Sequence, residues 1–251
     1  MILYGLKLWS NNAPETFQAA AELSAAGKVD CLEVYHDPTQ ALDWSRLAFV
    51  QNYRVAVHNT HSQGFHEFII TPEQENIWRG TLELADFFKA AVIVVHPGRD
   101  HDVVSFFEEL KKIEDERIYI ENMAGLDIFE QPMFGQKITD LLEISAVQPI
   151  CFDFEKAVKA ACWQKIPYQE YINQALELLK PRYFHISGGD KDSPVDQHLN
   201  LWEATFDVSW IAERLLEYSQ QKEVCLLFET PKVGASLEND LKNIEYFKSS
   251  H

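Results

Sequence analysis

The feature that most restricts this chain is a repeated ending. At residues 91–98, AVIVVHPG, a run of β-branched and small apolar residues stops on His96, Pro97 and Gly98. A short continuous apolar run bounded by turn residues reads as a strand buried on both faces, as in a parallel sheet. The same ending recurs in RVAVHNTH at His58, RIYIENM at Glu121, PICFDF at Asp153, YFHISGG at His185 and EVCLLFET at Glu229. Two further runs, ILYGLKLW and CLEVYH with Glu33, lack so clear a terminal ligand but bring the strands to eight. Eight strands alternating with helices predict an α/β chain, a single closed (β/α)8 TIM barrel in which residues 1–251 form one domain.

That architecture has a geometric consequence. The strands of such a barrel run parallel, so their carboxyl ends meet on one face, where active sites are built. His58, His96, Glu121, Asp153, His185 and Glu229 are therefore predicted to share one pocket. Packing alone gives no reason for metal-ligating residue types to recur at those positions.

Helical segments fill the intervals. Residues 11–28 carry Pro14 in a first-turn position and Gly27 at the end, and a short helix is expected near residues 40–49. Residues 71–90 read as a helix with Thr71 as N-cap and Pro72 at the first helical position. Helices follow over 102–116, 135–147, 167–180 and 209–221, the last behind Asp207, and a final one lies behind Ser236. The loop after His58 holds His61 and His66, which without a partner pattern read as solvent-facing. After the seventh strand comes SGGDKDSPVDQHLNLWEATFD, far longer than a typical loop and carrying Asp196 and His198.

Composition narrows the classes. A hydrophobic share of 46% supports a large core, and no apolar stretch reaches the ~18 residues of a membrane span. The amino-terminal residues enter a strand directly, so no secretory leader is expected and a cytoplasmic location is. Cys31, Cys151 and Cys225 lie in strands and Cys162 follows the sixth, which reads as reduced core thiols. A net charge of -17 argues against nucleic acid as a partner, because that binding neutralises phosphates with basic side chains.

The residues as a set, His58, His96 in VHPG, Glu121 in IENMAG, Asp153 in CFDFEK, His185 in HISGG, Asp196 and His198 in DQH, and Glu229 in FETP, resemble the xylose-isomerase-like TIM barrels. That superfamily includes endonuclease IV, hydroxypyruvate isomerase, inosose dehydratase and the ketose 3-epimerases of the tagatose and psicose type. The resemblance spans nearly the whole chain. It implies a metal site of Glu121, Asp153, His185 and Glu229, with Glu121 and Glu229 also acting as acid and base at the carbon that exchanges its proton. Nitrogen and oxygen ligands without a thiolate suit Mn2+, Zn2+, Mg2+ or Co2+. By resemblance to endonuclease IV, His58 and His96 with a bridging Glu121 hold a second ion, so one or two ions are expected. Asp196 and His198 correspond to that enzyme's third-metal pair, or else contact substrate. A third-metal histidine of that enzyme corresponds to Lys156, which disfavours a third ion here. Lys156 and Lys191 stand where the epimerases carry a substrate-binding His and Arg, so both are candidate substrate contacts. The other reading makes them surface lysines on loops, or Lys156 an ion-pair partner of a pocket carboxylate. Asp127 matches an acidic substrate contact loosely, and Trp9 and Trp202 are either sugar-stacking walls or core and loop packing.

The resulting expectation is a divalent-metal-dependent isomerase or epimerase of a sugar or sugar-like keto compound, working through an enediolate. The alternatives are an endonuclease IV-like zinc metallohydrolase acting on phosphate esters or abasic DNA, and a keto-inositol dehydratase-type lyase. The expected partner is a small molecule, a sugar or sugar phosphate, with the oligomeric state left open.

Overall fold

Each apolar run forms a strand: β1 (Ile2–Trp9), β2 (Cys31–Tyr35), β3 (Val55–His58), β4 (Ile93–Val95), β5 (Ile118–Glu121), β6 (Ile150–Asp153), β7 (Tyr183–Ile186) and β8 (Val224–Phe228). In the computed structural model, which describes residues 1–60, 72–99, 103–127 and 129–250, these strands pair in parallel in chain order. Strand β8 returns to β1, with Ile2 opposite Val224 and Leu6 opposite Phe228, and the ring closes into a (β/α)8 barrel.

The described helices are α1 (Pro14–Ala25), α2 (Trp44–Leu47) extended by a 3-10 turn at Ala48–Val50, α3 (Pro72–Phe88), α4 (Val103–Leu110), α5 (Ile138–Ser145), α6 (Phe154–Gln164), α7 (Tyr168–Leu179), α8 (Val208–Ser219) and α9 (Glu238–Lys248). Helix α6 corrects the sequence reading, which places only one helix between β6 and β7. It starts without a loop because Asp153, the last residue of β6, is also its N-cap, its Oδ1 accepting from the Lys156 backbone N–H at 2.8 Å. Asp207 caps α8, and Ser236 Oγ accepts from the Glu238 N–H at the start of α9. Thr71, His61 and His66 lie outside the described residues.

Strand side chains alternate between two environments. Leu6, Leu32, Val57, Ile120, Phe152 and Phe228 face the helices and join the main core. The intervening residues face the lumen, where Cys31, Ala56, Val94, Cys151, Tyr183, Cys225 and Leu227 pack as a separate apolar layer. Gly5 belongs to this layer, since a Cβ there would lie 2.6 Å from Cys31 Sγ. Two residues further along β1 and β2 the lumen turns charged, with Lys7 paired in register with Glu33. All four cysteines are free. No described helix is long and apolar enough to cross a membrane.

Candidate metal centre

The charged layer gathers what the strand ends deliver. Glu121 from β5, Asp153 from β6, His185 from β7 and Glu229 just beyond β8 are buried, and one donor atom of each lies within 4.8 Å of the others. Parallel register sets Asp153 beside His185. A second buried group, His58, His96 and Glu121, meets the same criterion. The six strand-end residues read from the sequence therefore converge, with Glu121 shared between the two groups.

His185 lies at the middle. Its Nδ1 is 3.0 Å from both Glu121 Oε1 and Glu229 Oε1, and its Nε2 is 2.9 Å from Glu33 Oε2. Glu121 Oε2 reaches His96 Nε2 at 2.7 Å and His58 Nε2 at 3.3 Å. The Lys156 ammonium is 2.8 Å from Glu121 Oε1, and the Lys7 ammonium donates to Glu229 while lying 3.4 Å from Glu33 Oε1. Each of the two candidate acid/base carboxylates thus carries its own lysine.

Burial and charge oppose each other throughout. Burial disfavours the ionised Glu121, yet Lys156, His185 and His96 hold its carboxyl well below the usual range. Burial likewise disfavours the Glu229 carboxylate, and His185 and Lys7 override it. Glu33 is lowered to about 2 against burial by His185 and Lys7. Burial disfavours the His185 imidazolium, but the surrounding carboxylates raise its pKa well above the ordinary value. Burial and the nearby Lys156 push His96 down to about 3, so it is a neutral imidazole.

Asp153 differs from the other carboxyls. Burial raises it to about 6 despite Lys156, and its buried Oδ2 has no hydrogen-bond partner among the described residues while Oδ1 is used in the α6 cap. A buried carboxylate oxygen without a donor is costly. The charges point the same way. With His185 neutral, as a ligand must be, Glu33, Glu121, Asp153 and Glu229 contribute four negative charges against two from Lys7 and Lys156, the deficit that one divalent cation would fill. The donor set, imidazole nitrogen and carboxylate oxygen without thiolate, fits Mn2+, Zn2+, Co2+ or Mg2+. Glu33 also fits a supporting role: a carboxylate on the outer ring nitrogen fixes a ligand histidine's tautomer.

Above the charged layer opens a cavity of about 280 Å³, lined among the described residues by Lys7, Trp9, Tyr35, His96, Lys156, His198, Glu229, Thr230 and Pro231. His198 reaches it from the long loop after β7 with a left-handed φ of 49°, which a non-glycine residue adopts at a cost. Its Nε2 is 3.0 Å from Asp196 Oδ2 and its Nδ1 is 3.5 Å from Glu229 Oε2. Burial opposes the His198 charge, but Asp196 raises its pKa to about 9.

The remaining sequence candidates divide. Trp9 lines the cavity, and Lys156 is buried on α6 and paired with Glu121, which corrects the loop placement and bears out the ion-pair reading. Lys191 is exposed beside Asp192 at 3.7 Å, away from the cavity lining. Asp127 pairs with Arg99 at 2.7 Å, and Trp202 packs edge-on against Tyr246 with the Lys242 ammonium 4.0 Å from its ring centroid. Lys7 and Glu33 are the site residues that the sequence reading missed as such. Their signal was the period-two pattern Gly5, Lys7, Trp9 and Cys31, Glu33, Tyr35, which sets a charge on the lumen face of an otherwise apolar strand.

No protein-family model and no curated protein matches the sequence. Among solved structures, a D-tagatose 3-epimerase-like protein superposes with a TM-score of 0.69 at 17% identity, covering 99% of this chain and 96% of that one. A xylose isomerase domain containing protein from Salmonella typhimurium LT2 gives 0.64 at 13% identity, covering 98% and 96%. A D-psicose 3-epimerase crystallised in the presence of D-fructose gives 0.60 at 12% identity, covering 96% and 89%. At these identities the likeness is one of fold: the chain shares a (β/α)8 barrel with these structures.

Proposed function

We propose that the protein is a divalent-metal-dependent isomerase or epimerase of a small ketose or related keto compound. The observation that carries this reading is the buried set of Glu121, Asp153, His185 and Glu229, in which Asp153 Oδ2 lacks any donor. The names of the fold neighbours support a sugar as the substrate class. A cavity of about 280 Å³, just below the ~300–1,000 Å³ range of pockets for drug-sized ligands, suits a monosaccharide-sized ligand.

A proton next to a carbonyl is too weakly acidic for a carboxylate to remove unaided. When bound, the divalent ion supplies Lewis-acid polarisation of that carbonyl. Glu229 takes the proton from the adjacent carbon, giving an enediolate, and Glu121 returns one from another wall of the barrel. Lys7 and Lys156 hold the two carboxylates ionised, and Trp9 and Tyr35 wall the sugar. Two bases on opposite faces of the substrate produce an epimer; one base serving adjacent carbons produces an aldose.

The test is incubation with fructose, psicose and tagatose and with Mn2+ or Co2+ in D2O. Deuterium entering at the carbon beside the carbonyl, together with a new epimer or aldose, is the expected result. Glu229→Gln is expected to lower turnover by about 10²–10⁴-fold, the usual size of a general-base contribution, while still unfolding cooperatively. No exchange with any ketose, or near-normal turnover in Glu229→Gln, contradicts the reading.

The grouping of His58, His96 and Glu121 favours a second reading, a zinc phosphoesterase of the endonuclease IV kind. The small cavity, the buried Lys156 and the net charge of -17 oppose it. Incision of abasic-site DNA would establish it. A keto-inositol dehydratase-type lyase would use the same ion and would be recognised by loss of water from its substrate.

A further inference from the structure

The second group, His58, His96 and Glu121, contains a cation of the protein's own. Lys156 Nζ lies 2.8 Å from Glu121 Oε1 and 3.1 Å from His96 Nε2, touching two of the three residues. We propose that the Lys156 ammonium is a built-in cation occupying the subsite framed by His58, His96 and Glu121, so that the centre takes one exchangeable divalent ion and excludes a second. This deepens the metal-dependent reading above and rests on it.

Three observations carry the assignment. The side chain is one of the largest fully buried among the described residues, at 1% exposure, and its ammonium is held by Glu121 and His96 at the floor of the cavity. Its origin is fixed: Lys156 sits in the first turn of α6, where its backbone N–H donates to Asp153 Oδ1 at 2.8 Å. The carboxylate that anchors the lysine thus belongs to the four-residue set, and its other oxygen is the one left without a donor. The charge balance agrees. With Lys7 and Lys156 in place and His185 neutral as a ligand, the four lumen carboxylates need only one divalent cation for neutrality, and a second ion would add two positive charges beside an ammonium less than 3 Å from the shared carboxylate. The histidine pair then serves as neutral scaffolding that holds Glu121 Oε2, at 2.7 Å from His96 and 3.3 Å from His58.

The test is a Co2+ titration followed by visible absorption, with bound metal counted by elemental mass spectrometry, on wild type, Lys156→Ala, Lys156→Arg and the double variant Lys156→Ala/His96→Ala. Lys156→Ala is expected to bind one more ion per chain than wild type. Lys156→Arg, which keeps the charge, and the double variant, which lacks a ligand, are expected to gain none. Equal stoichiometry in wild type and Lys156→Ala, both unfolding cooperatively, overturns the inference. So does a second equivalent bound by wild type itself, a result that does not depend on any variant folding. Absence of metal from the wild type contradicts the proposed function, whereas the difference between variant and wild type tests Lys156 alone.

Discussion

His185 Nε2 lies 2.9 Å from Glu33 Oε2, joining β7 to β2 across the lumen, and the same oxygen accepts from the Tyr183 hydroxyl at 2.9 Å. The carboxylate holds the outer ring nitrogen as N–H and turns Nδ1 toward Glu121 and Glu229. Glu33→Ala is therefore expected to weaken divalent-ion binding by about 10–100-fold, the usual cost of losing such a partner, with Glu33→Gln between it and wild type. Competition with a chromogenic chelator measures this. Unchanged affinity in Glu33→Ala would remove Glu33 from the centre.

Lys7 is one of the groups that keep the Glu229 carboxyl well below its usual range. Lys7→Met removes that charge, so the Glu229 pKa rises and the carboxylate is lost at a higher pH. The acidic limb of kcat/KM is expected to move upward by about 1–3 units, the effect of an opposite charge at this range. A profile that does not move argues that Glu229 is not the group titrating there.

Metal binding should expel protons. The metal-free pocket raises the His185 pKa well above 6.5, so a proton must leave its imidazole at neutral pH before Nδ1 can bind an ion. Asp153, raised to about 6, adds a second proton in more acid solution. Affinity is expected to rise with pH, with protons released on binding at neutral pH and more of them below pH 6. Potentiometry in weak buffer checks this.

Stability should fall in mild acid for a reason outside the centre. His36 is buried against Thr81, whose Oγ1 lies 2.9 Å from its Nδ1, and burial lowers its pKa to about 4. Between pH 6.5 and 4 the unfolded chain binds a proton there that the folded one does not. This contribution is thus present above pH 6.5 and lost as the pH falls toward 4. The loss is on the order of 1–2 kcal/mol at pH 5. Urea midpoints at pH 7.5 and 5.0 are expected to differ by less in His36→Asn than in wild type.

Much of the architecture was legible because the strands end on the residues that matter. His58, Glu121 and Asp153 close their strands and His185 sits one residue from the end of β7, so an apolar run followed by a ligand-type side chain marked both strand and site. Lys7 and Glu33 were harder to see because two more strand residues follow each of them, and only the alternation along the strand reveals which face they occupy. Helix α6 was missed because its cap is the strand's last residue, with no turn sequence between the two elements. The position of Lys156 followed from that omission: in a loop it is a surface lysine, and on the first turn of a buried helix it is a lumen cation. Lys191 and Trp202, both on the long segment after β7, show the opposite limit. The sequence left each open between a site role and a surface or packing role, and chain geometry put Lys191 at the surface and Trp202 against α9.

The most direct measurement is the divalent metal content of protein equilibrated with Mn2+, Co2+ or Zn2+ and freed of excess, for wild type beside Asp153→Ala. The expected result is one ion per chain in the wild type and none in Asp153→Ala, with both proteins unfolding cooperatively. A wild-type protein that retains no ion, or an Asp153→Ala protein that retains its full complement, would contradict a metal centre built on Glu121, Asp153, His185 and Glu229.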